Sequence, residues 1–507
     1  MKSLFLLGMM GSGKSTLGKA LAQFLDMPFI DMDRQIENRT DKSIAQIFRE
    51  EGEAFFRQKE SELLAELASD PMPKIVATGG GVVCLPQNRD CLRKMPCLFL
   101  DVPMDILAER LEKERNQRPL LQGEIAETLT RIYGQRKEWY EVFPSFRPKP
   151  ELSAWQNLTF LLYALGQTEF SLRFDSLSIE DNIVLSPSHL FSHLGSQPLD
   201  SMILTSQSVY RFYQNFFSTS LAIKILPDGE SCKENEFLCE TWQFLLQKQH
   251  SRSQKILALG GGSLTDIAGF AASTYKRGTH LELYPTTLLA QVDAAIGGKN
   301  AINIHGIKNA AGTFFMPSQV LVDPLVTLSS SIPFFQDGLV EGLKAAMLVH
   351  EDRDILRLQL QRCQNLIVKP SCKDLIEFVA QSIQDKMFFV RKDPQEKKER
   401  MFLNLGHTLG HVYETTFSLS HGKAVALGIY QILKDNPDAD IQATLNFFLQ
   451  IVGKEHQEVL HQKWTHDMRQ KLANDKKIRG NKLCLVSLEK PGKPVLQEKN
   501  IDPTFRT

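Results

Sequence analysis

The stretch "GMMGSGKST" at residues 8–16 constrains this chain more than any other. It follows the apolar run "SLFLL" and precedes a segment of helical period, so the backbone must pass from a buried strand through glycines into a helix. The pattern G-x-x-x-x-G-K-[ST] is complete at Gly8, Gly13, Lys14 and Ser15. Glycines let successive backbone N–H groups surround a phosphate, the lysine reaches its outer oxygens, and the serine hydroxyl ligates Mg2+. The N-terminal part is therefore expected to be an α/β domain with a parallel sheet and helices on both faces. Gly11, Ser12, Gly13, Lys14, Ser15 and Thr16 are its expected ATP contacts.

A chain of 507 residues exceeds one core, and at ~150 residues per domain about three are expected. "PFIDMD", "KIVATGGG" and "PCLFLDV" continue the strand–helix alternation to about residue 150, where "FRPKP" breaks it. Strand-like alternation restarts at 171–185, and "SMILT", "KILALGGG", "LELYP" and "QVLVDP" alternate with helices to about 325. Beyond 335 the chain reads almost wholly helical. The expected division is 1–168, 169–325 and 326–507, the last two an α/β domain and a mainly helical one. Lys plus Arg and Asp plus Glu both number 59, so no net charge favours nucleic acid or an anionic membrane. The eight cysteines form no C-x-x-C pair, which fits a reducing compartment. "MKSLFLLGMM" mimics a signal peptide but runs straight into the glycine loop without a small-residue cleavage site, so it reads as a buried strand. "LTFLLYALG" falls short of the ~20 residues that span a bilayer. A cytoplasmic protein acting on small molecules is expected.

After the second apolar run, "DMDRQIE" places Asp31 and Asp33 at alternate positions. Such carboxylates can hold a metal or deprotonate a hydroxyl, or they can simply cap a helix. "FFRQKE" follows with Arg57, then Gly79, Gly80 and Gly81, "RNQRPLL" with Arg118 and "GQRKEWY" with Arg136. In order and spacing, residues 1–165 resemble shikimate kinase. The resemblance implies shikimate binding by Asp33, Arg57, Arg136 and Gly79–Gly81. It further implies Mg2+ at Ser15 and Asp31, phosphate contact by Arg118, and catalytic roles for Lys14, Asp31 and Asp33. Guanidinium forks suit a carboxylate and an Asp suits hydroxyls, as an anionic polyol needs.

"KILALGGGSLTDIAGF" again leads a strand through glycines into a helix, and by itself reads as a nucleotide seat or a tight turn. "NLGHTLGHVYE" sets His407 and His411 four apart, and His421 follows in "SLSHGK". Histidines so spaced serve a divalent metal or helix packing. The series "PDGESCKENE", "GGGSLTD", "YKRG", "YPTTLLAQVDAAIGGKNAIN", "GIKNAAGTF", "LVEGLK" and "RMFLNLGHTLGH" resembles 3-dehydroquinate synthase over roughly 172–490. The whole chain thus resembles a fusion of the two enzymes.

The second resemblance implies Zn2+ or Co2+ on Glu341, His407 and His421. It implies NAD+ on Glu230, Lys233, Gly261, Gly262, Asp266, Thr286, Thr287, Lys299 and Lys308. The substrate 3-deoxy-D-arabino-heptulosonate 7-phosphate (DAHP) would meet Asp293, Lys299, Asn309, Lys344, Lys386, Arg400, Asn404, His411, Lys476 and Lys477. Arg277 would reach it from a neighbouring subunit, which makes a homodimer through this half the expected state. Lys344, Lys386 and His411 would be catalytic. Implied chemistry is transient oxidation, phosphate elimination, reduction, ring opening and aldol closure, with NAD+ regenerated. The chain departs from the usual patterns in four places. R-x-P-x-Y reads Arg136-Lys-Glu-Trp-Tyr140, H-G-E reads His421-Gly-Lys423, G-G-K-T ends in Asn300, and Ser206-Gln-Ser208 stands where Asp-x-Asn is usual. An alternative reading is an active kinase whose degenerate synthase half is a dimerisation scaffold.

Overall fold

The computed structural model describes residues 2–112, 125–165, 175–217, 221–462, 464–473, 478–479 and 482–500. The chain divides into two compact units, residues 1–174 and, apart from 369–372, residues 175–507. The boundary expected at 168/169 falls outside the described residues.

In the first unit β1 (Leu4–Leu7), β2 (Phe29–Asp31), β3 (Ile75–Ala77), β4 (Cys97–Leu100) and β5 (Ser145–Phe146) form a parallel sheet ordered β2-β3-β1-β4-β5. Leu4 to Leu7 are fully buried, as a central strand covered on both faces must be. Leu6 of β1 and Asp31 of β2 both register with Ala77 of β3. The loops leaving these three strands therefore emerge side by side at the carboxyl edge, where open α/β sheets bind ligands.

The second unit contains β6 (Leu177–Glu180), β7 (Ile183–Leu185), β8 (Met202–Ser206), β9 (Ala222–Leu226), β10 (Lys255–Gly260) and β11 (His280–Pro285). A hairpin of β12 (Lys299–Ile304) and β13 (Ile307–Phe314) precedes β14 (Gln319–Val322). Sheet order is β6-β7-β14-β11-β10-β8-β9, parallel except for β6.

Helices dominate from Ile332 onward. In helix Ile332–Val349 every residue from Asp337 to Leu348 is buried, so it lies at the centre of the helical layer. Its Asp337, Glu341 and Lys344 must consequently find partners inside the protein. The reading of this region as almost wholly helical needs one correction. β15 (Ile478–Arg479), β16 (Lys482–Lys490) and β17 (Lys493–Asn500) form an antiparallel sheet. A short apolar run such as "KLCLVSLEK" is ambiguous by period; the deciding signal is Pro491-Gly492, with Gly492 at φ 72°. All eight cysteines are free thiols. Among the described residues no helix is long and apolar enough to cross a membrane.

Candidate active sites

The loop leaving β1 turns through Gly11 and Gly13 at φ 76° and 85°, conformations that favour glycine. Gly13 then opens helix Lys14–Phe24. Lys14 is nearly buried and curls over the loop, its Nζ donating to the Gly8 and Met9 carbonyls at 2.8 and 2.9 Å. The Ser15 hydroxyl donates to Asp31 Oδ2 at 2.5 Å. Asp31 also accepts from Arg34 N at 3.3 Å and caps helix Met32–Thr40. Capping and a hydrogen bond from the phosphate-loop serine thus coexist at one carboxylate. Arg110, which the sequence did not single out, adds a guanidinium by donating to the Gly11 carbonyl at 3.2 Å.

The loop after β3 forms the adjoining wall. Arg136 Nη1 and the Tyr140 hydroxyl both donate to the Gly80 carbonyl, at 2.7 and 2.6 Å. Arg57 lies so close to Gly81 that a Cβ there would sit 2.2 Å from its Nη1. A Cβ on Gly79 would meet Glu60 Oε1 at 2.4 Å and Asp33 Oδ1 at 2.8 Å. The absence of a Cβ at Gly79 and Gly81 therefore leaves room for three side chains, Asp33, Arg57 and Glu60. Glu60 was missed by sequence reasoning; it is fully buried and binds Arg57 Nη1 at 2.7 Å. Burial pushes its pKa up against the pull of Arg57. Among the described residues its Oε1 has no hydrogen-bond partner, an acceptor left over for a hydroxyl.

In the second unit Gly260 of β10 registers with Pro285 of β11, and Thr286 N donates to the Gly260 carbonyl at 2.9 Å. Gly261 and Gly262, which open helix Gly262–Thr274, thus adjoin Thr286 and Thr287. A Cβ on Gly262 would lie 2.9 Å from that of Ala294. Beneath them the buried Lys233 binds Asp266 at 2.7 Å, Glu230 at 3.5 Å and Asn309. Ser263 and Asn303 donate to Glu230 at 2.9 and 3.0 Å. Burial raises the Asp266 carboxyl to about 6 against the opposing pull of Lys233.

Three helices converge on the metal candidates. The ligand atoms of Glu341, His407 and His421 all lie within 4.8 Å of one another. Glu341 Oε1 stands 3.6 Å from His407 Nε2 and 3.4 Å from His421 Nε2, and makes no hydrogen bond among the described residues. Ligands held ~2.0–2.1 Å from a tetrahedral ion lie about 3.4 Å apart, so the spacing suits a shared metal better than direct bonding. Each imidazole also has an outer acceptor, as metal-bound histidines require: the Leu405 carbonyl for His407 at 3.3 Å, and Glu414 for His421 at 3.4 Å. The residues present therefore fit a divalent ion.

Cations surround this cluster. Lys344 binds Glu341 and the Leu403 carbonyl, both at 2.5 Å. Lys386 pairs with Asp293 at 2.6 Å, and Lys299 with Glu396 at 2.5 Å. Burial lowers the pKa of both Lys386 and Lys299. Asn404 also donates to Glu396, at 3.0 Å. Fully buried Arg400 donates to the Gly297 and Pro394 carbonyls at 2.8 and 2.7 Å. The His411 ring stands 5.6 Å from that of His407.

Family models for shikimate kinase, for the N-terminal part of 3-dehydroquinate synthase and for its C-terminal part match residues 10–150, 223–332 and 338–478. A bifunctional shikimate kinase/3-dehydroquinate synthase of Thermotoga maritima is 42% identical over 84% of this chain and 83% of that protein. The chain belongs to that bifunctional family. A 3-dehydroquinate synthase of Legionella pneumophila (strain Lens) is 36% identical over 57% of this chain and 81% of that protein. A 2-epi-5-epi-valiolone synthase solved with NAD+ and Zn2+ shares the fold of the synthase half. It is 24% identical with TM-score 0.56, covering 65% of this chain and 96% of that one.

Against the usual patterns of shikimate kinase and dehydroquinate synthase, the four departures have local explanations. Arg136 and Tyr140 reach one carbonyl from helix Ile125–Tyr140 without the missing proline. Lys423 pairs with Glu455 at 3.8 Å. Asn300 is a buried strut donating to the Gly298 and Phe315 carbonyls at 2.9 and 3.1 Å. Ser208 donates through N and Oγ to Asp228 at 3.0 and 2.7 Å, so a carboxylate does stand at this edge, supplied from after β9. Lys308 is brought to Glu414 at 2.7 Å, the carboxylate that also meets His421. Arg277 stands in the turn after helix Gly262–Thr274 at φ 65°. Arg118, Lys476 and Lys477 lie outside the described residues.

Proposed function

We propose that the first unit binds ATP over residues 8–16 and passes its terminal phosphoryl to shikimate, while the second converts DAHP to 3-dehydroquinate and phosphate. The carrying observation is that one chain holds both a serine–aspartate pair at a phosphate loop and a Glu–His–His cluster, its glutamate buried and its histidines half-buried, with cations beside it. On ATP binding Lys14 exchanges the Gly8 and Met9 carbonyls for phosphate oxygens. Ser15 and Asp31 would hold Mg2+, which neutralises charge on the transferring group. Arg57 and Arg136 grip the shikimate carboxylate, Glu60 holds Arg57 and accepts a hydroxyl, and Asp33 takes the proton from the attacking oxygen.

In the second unit Glu230, Lys233, Gly261, Gly262, Asp266, Thr286 and Thr287 would hold NAD+, and Glu341, His407 and His421 a Zn2+ or Co2+ ion. When bound, these groups supply transient oxidation and polarisation of a substrate hydroxyl. Lys299, Lys344, Lys386 and Arg400 match the two anionic groups of DAHP, with Asp293, Asn309 and Asn404 on its hydroxyls. His411 carries a proton at the reacting hydroxyl. Residues 169–325 act as the cofactor domain and residues 326–507 as the metal and substrate domain. Arg277 reaches the partner's site in a homodimer, and the cytoplasm is the expected compartment.

The test is a pair of assays on purified protein. It should phosphorylate shikimate with ATP and Mg2+, convert DAHP with NAD+ and Zn2+, and carry about one tightly bound metal per chain. Lys14→Ala should abolish only the first activity and His407→Ala only the second. Absence of bound metal together with absence of DAHP turnover overturns the synthase assignment. A monomer by light scattering overturns the homodimer.

A further inference from the structure

The helix that supplies Glu341 carries a second buried acid one turn earlier, Asp337, which takes no part in the proposed chemistry. It is 2% exposed, and its Oδ1 accepts from Ser420 Oγ at 2.7 Å and from Gly422 N at 2.9 Å. These donors are the residues on either side of His421. Ser420 is the N-cap of helix His421–Leu433, yet its side chain caps no N–H of that helix. The hydroxyl is turned outward to Asp337, and the first-turn N–H of Gly422 is satisfied by the same carboxylate. An N-cap normally provided from within the helix is here provided by a neighbouring one.

Packing supports the arrangement independently. A Cβ on Gly422 would fall 2.4 Å from Asp337 Cα and 2.7 Å from Asp337 Oδ1. Glycine thus lets the His421 helix descend onto Asp337 until its backbone can bond there. Residues four apart share a helix face, so Asp337 and Glu341 point to the same side. One face of one helix therefore sets both the ligand oxygen and the backbone position of the imidazole that stands 3.4 Å from it.

We infer that Asp337 is a positioning residue of the metal centre, fixing where His421 enters it. The inference rests on the proposed reading of Glu341, His407 and His421 as metal ligands. The experiment measures Zn2+ affinity of the full chain by chelator competition and the visible spectrum of the Co2+-loaded form. The chains compared are the parent, Asp337→Ala, Asp337→Asn and Ser420→Ala, with thermal unfolding and shikimate phosphorylation followed in parallel. Asp337→Ala should weaken metal binding about 10- to 100-fold and alter the Co2+ spectrum, with the kinase activity unchanged. Asp337→Asn keeps the accepting oxygen and should restore most of the affinity, which a purely electrostatic role would not allow. Ser420→Ala removes one of two donors and should cause a smaller loss in the same direction. It also decides the matter if Asp337→Ala does not fold. Folded variants with parental affinity and spectrum, or an Asn variant as weak as Ala, overturn the inference. A parent chain that binds no metal overturns instead the ligand assignment on which it rests.

Discussion

Glu60 is a residue whose importance no local pattern reveals. In "FFRQKESELL" it is one acid among several on a charged helix, where most such groups are solvated. The fold buries it completely and binds it to Arg57 at 2.7 Å. The only trace in the sequence is the spacing of three from Arg57. Glu60→Ala leaves that guanidinium near Glu53 alone and removes the spare acceptor. Shikimate KM should rise about tenfold or more, the worth of a charge-assisted bond, while ATP KM stays constant in steady-state assays. Lys14 was legible from its motif, and Lys14→Ala should lower phosphoryl-transfer kcat by at least about 10³, effectively abolishing it, with DAHP turnover unaffected. By contrast Asp33, Arg57 and Arg136 are far apart in sequence, so only the resemblance grouped them, and the Gly79–Gly81 loop after β3 is where they meet.

Elements were legible where the signal is local. A strand, a glycine loop and a helix follow one another within residues 4–24, and again within 255–274. The β12–β13 hairpin and the 478–500 sheet were not read, because short half-apolar runs carry no decisive period. The Asn300 strut shows how tightly the hairpin is fitted: a Cβ on Gly269 would come within 1.7 Å of its Oδ1. Gly269→Ala should destabilise the synthase unit by about 1–3 kcal/mol, and combining it with Asn300→Ser should recover part of the loss in calorimetry. On β11 Glu282 is 4% exposed. Burial opposes its charge, yet His193, Lys255 and Tyr284 hold its carboxyl down at about 2. A lowered folded-state pKa gives stability that is present above about 4.5 and lost as pH falls toward about 2. That contribution is worth ~3 kcal/mol at neutral pH. Relative to Glu282→Gln, the parent should therefore show a steeper loss of stability between about pH 4.5 and 2 in denaturant titrations.

For the molecule as a whole, the division at 174/175 means that every described site residue falls within one unit or the other. Each unit has its own buried strands and its own loops at a carboxyl edge. Binding to one folded unit raises the stability of that unit by mass action. Saturating Zn2+ should shift the calorimetric transition of the synthase unit upward by several degrees and leave the kinase transition in place. Shikimate with an ATP analogue should do the converse.

This separateness also has a genetic consequence. Two alleles of one gene ordinarily fail to complement when both abolish the product. Here a copy carrying Lys14→Ala and a copy carrying His407→Ala each retain the site that the other lacks. Placed together in a cell without either enzyme, the two damaged copies should restore growth on medium lacking aromatic amino acids, although neither does so alone.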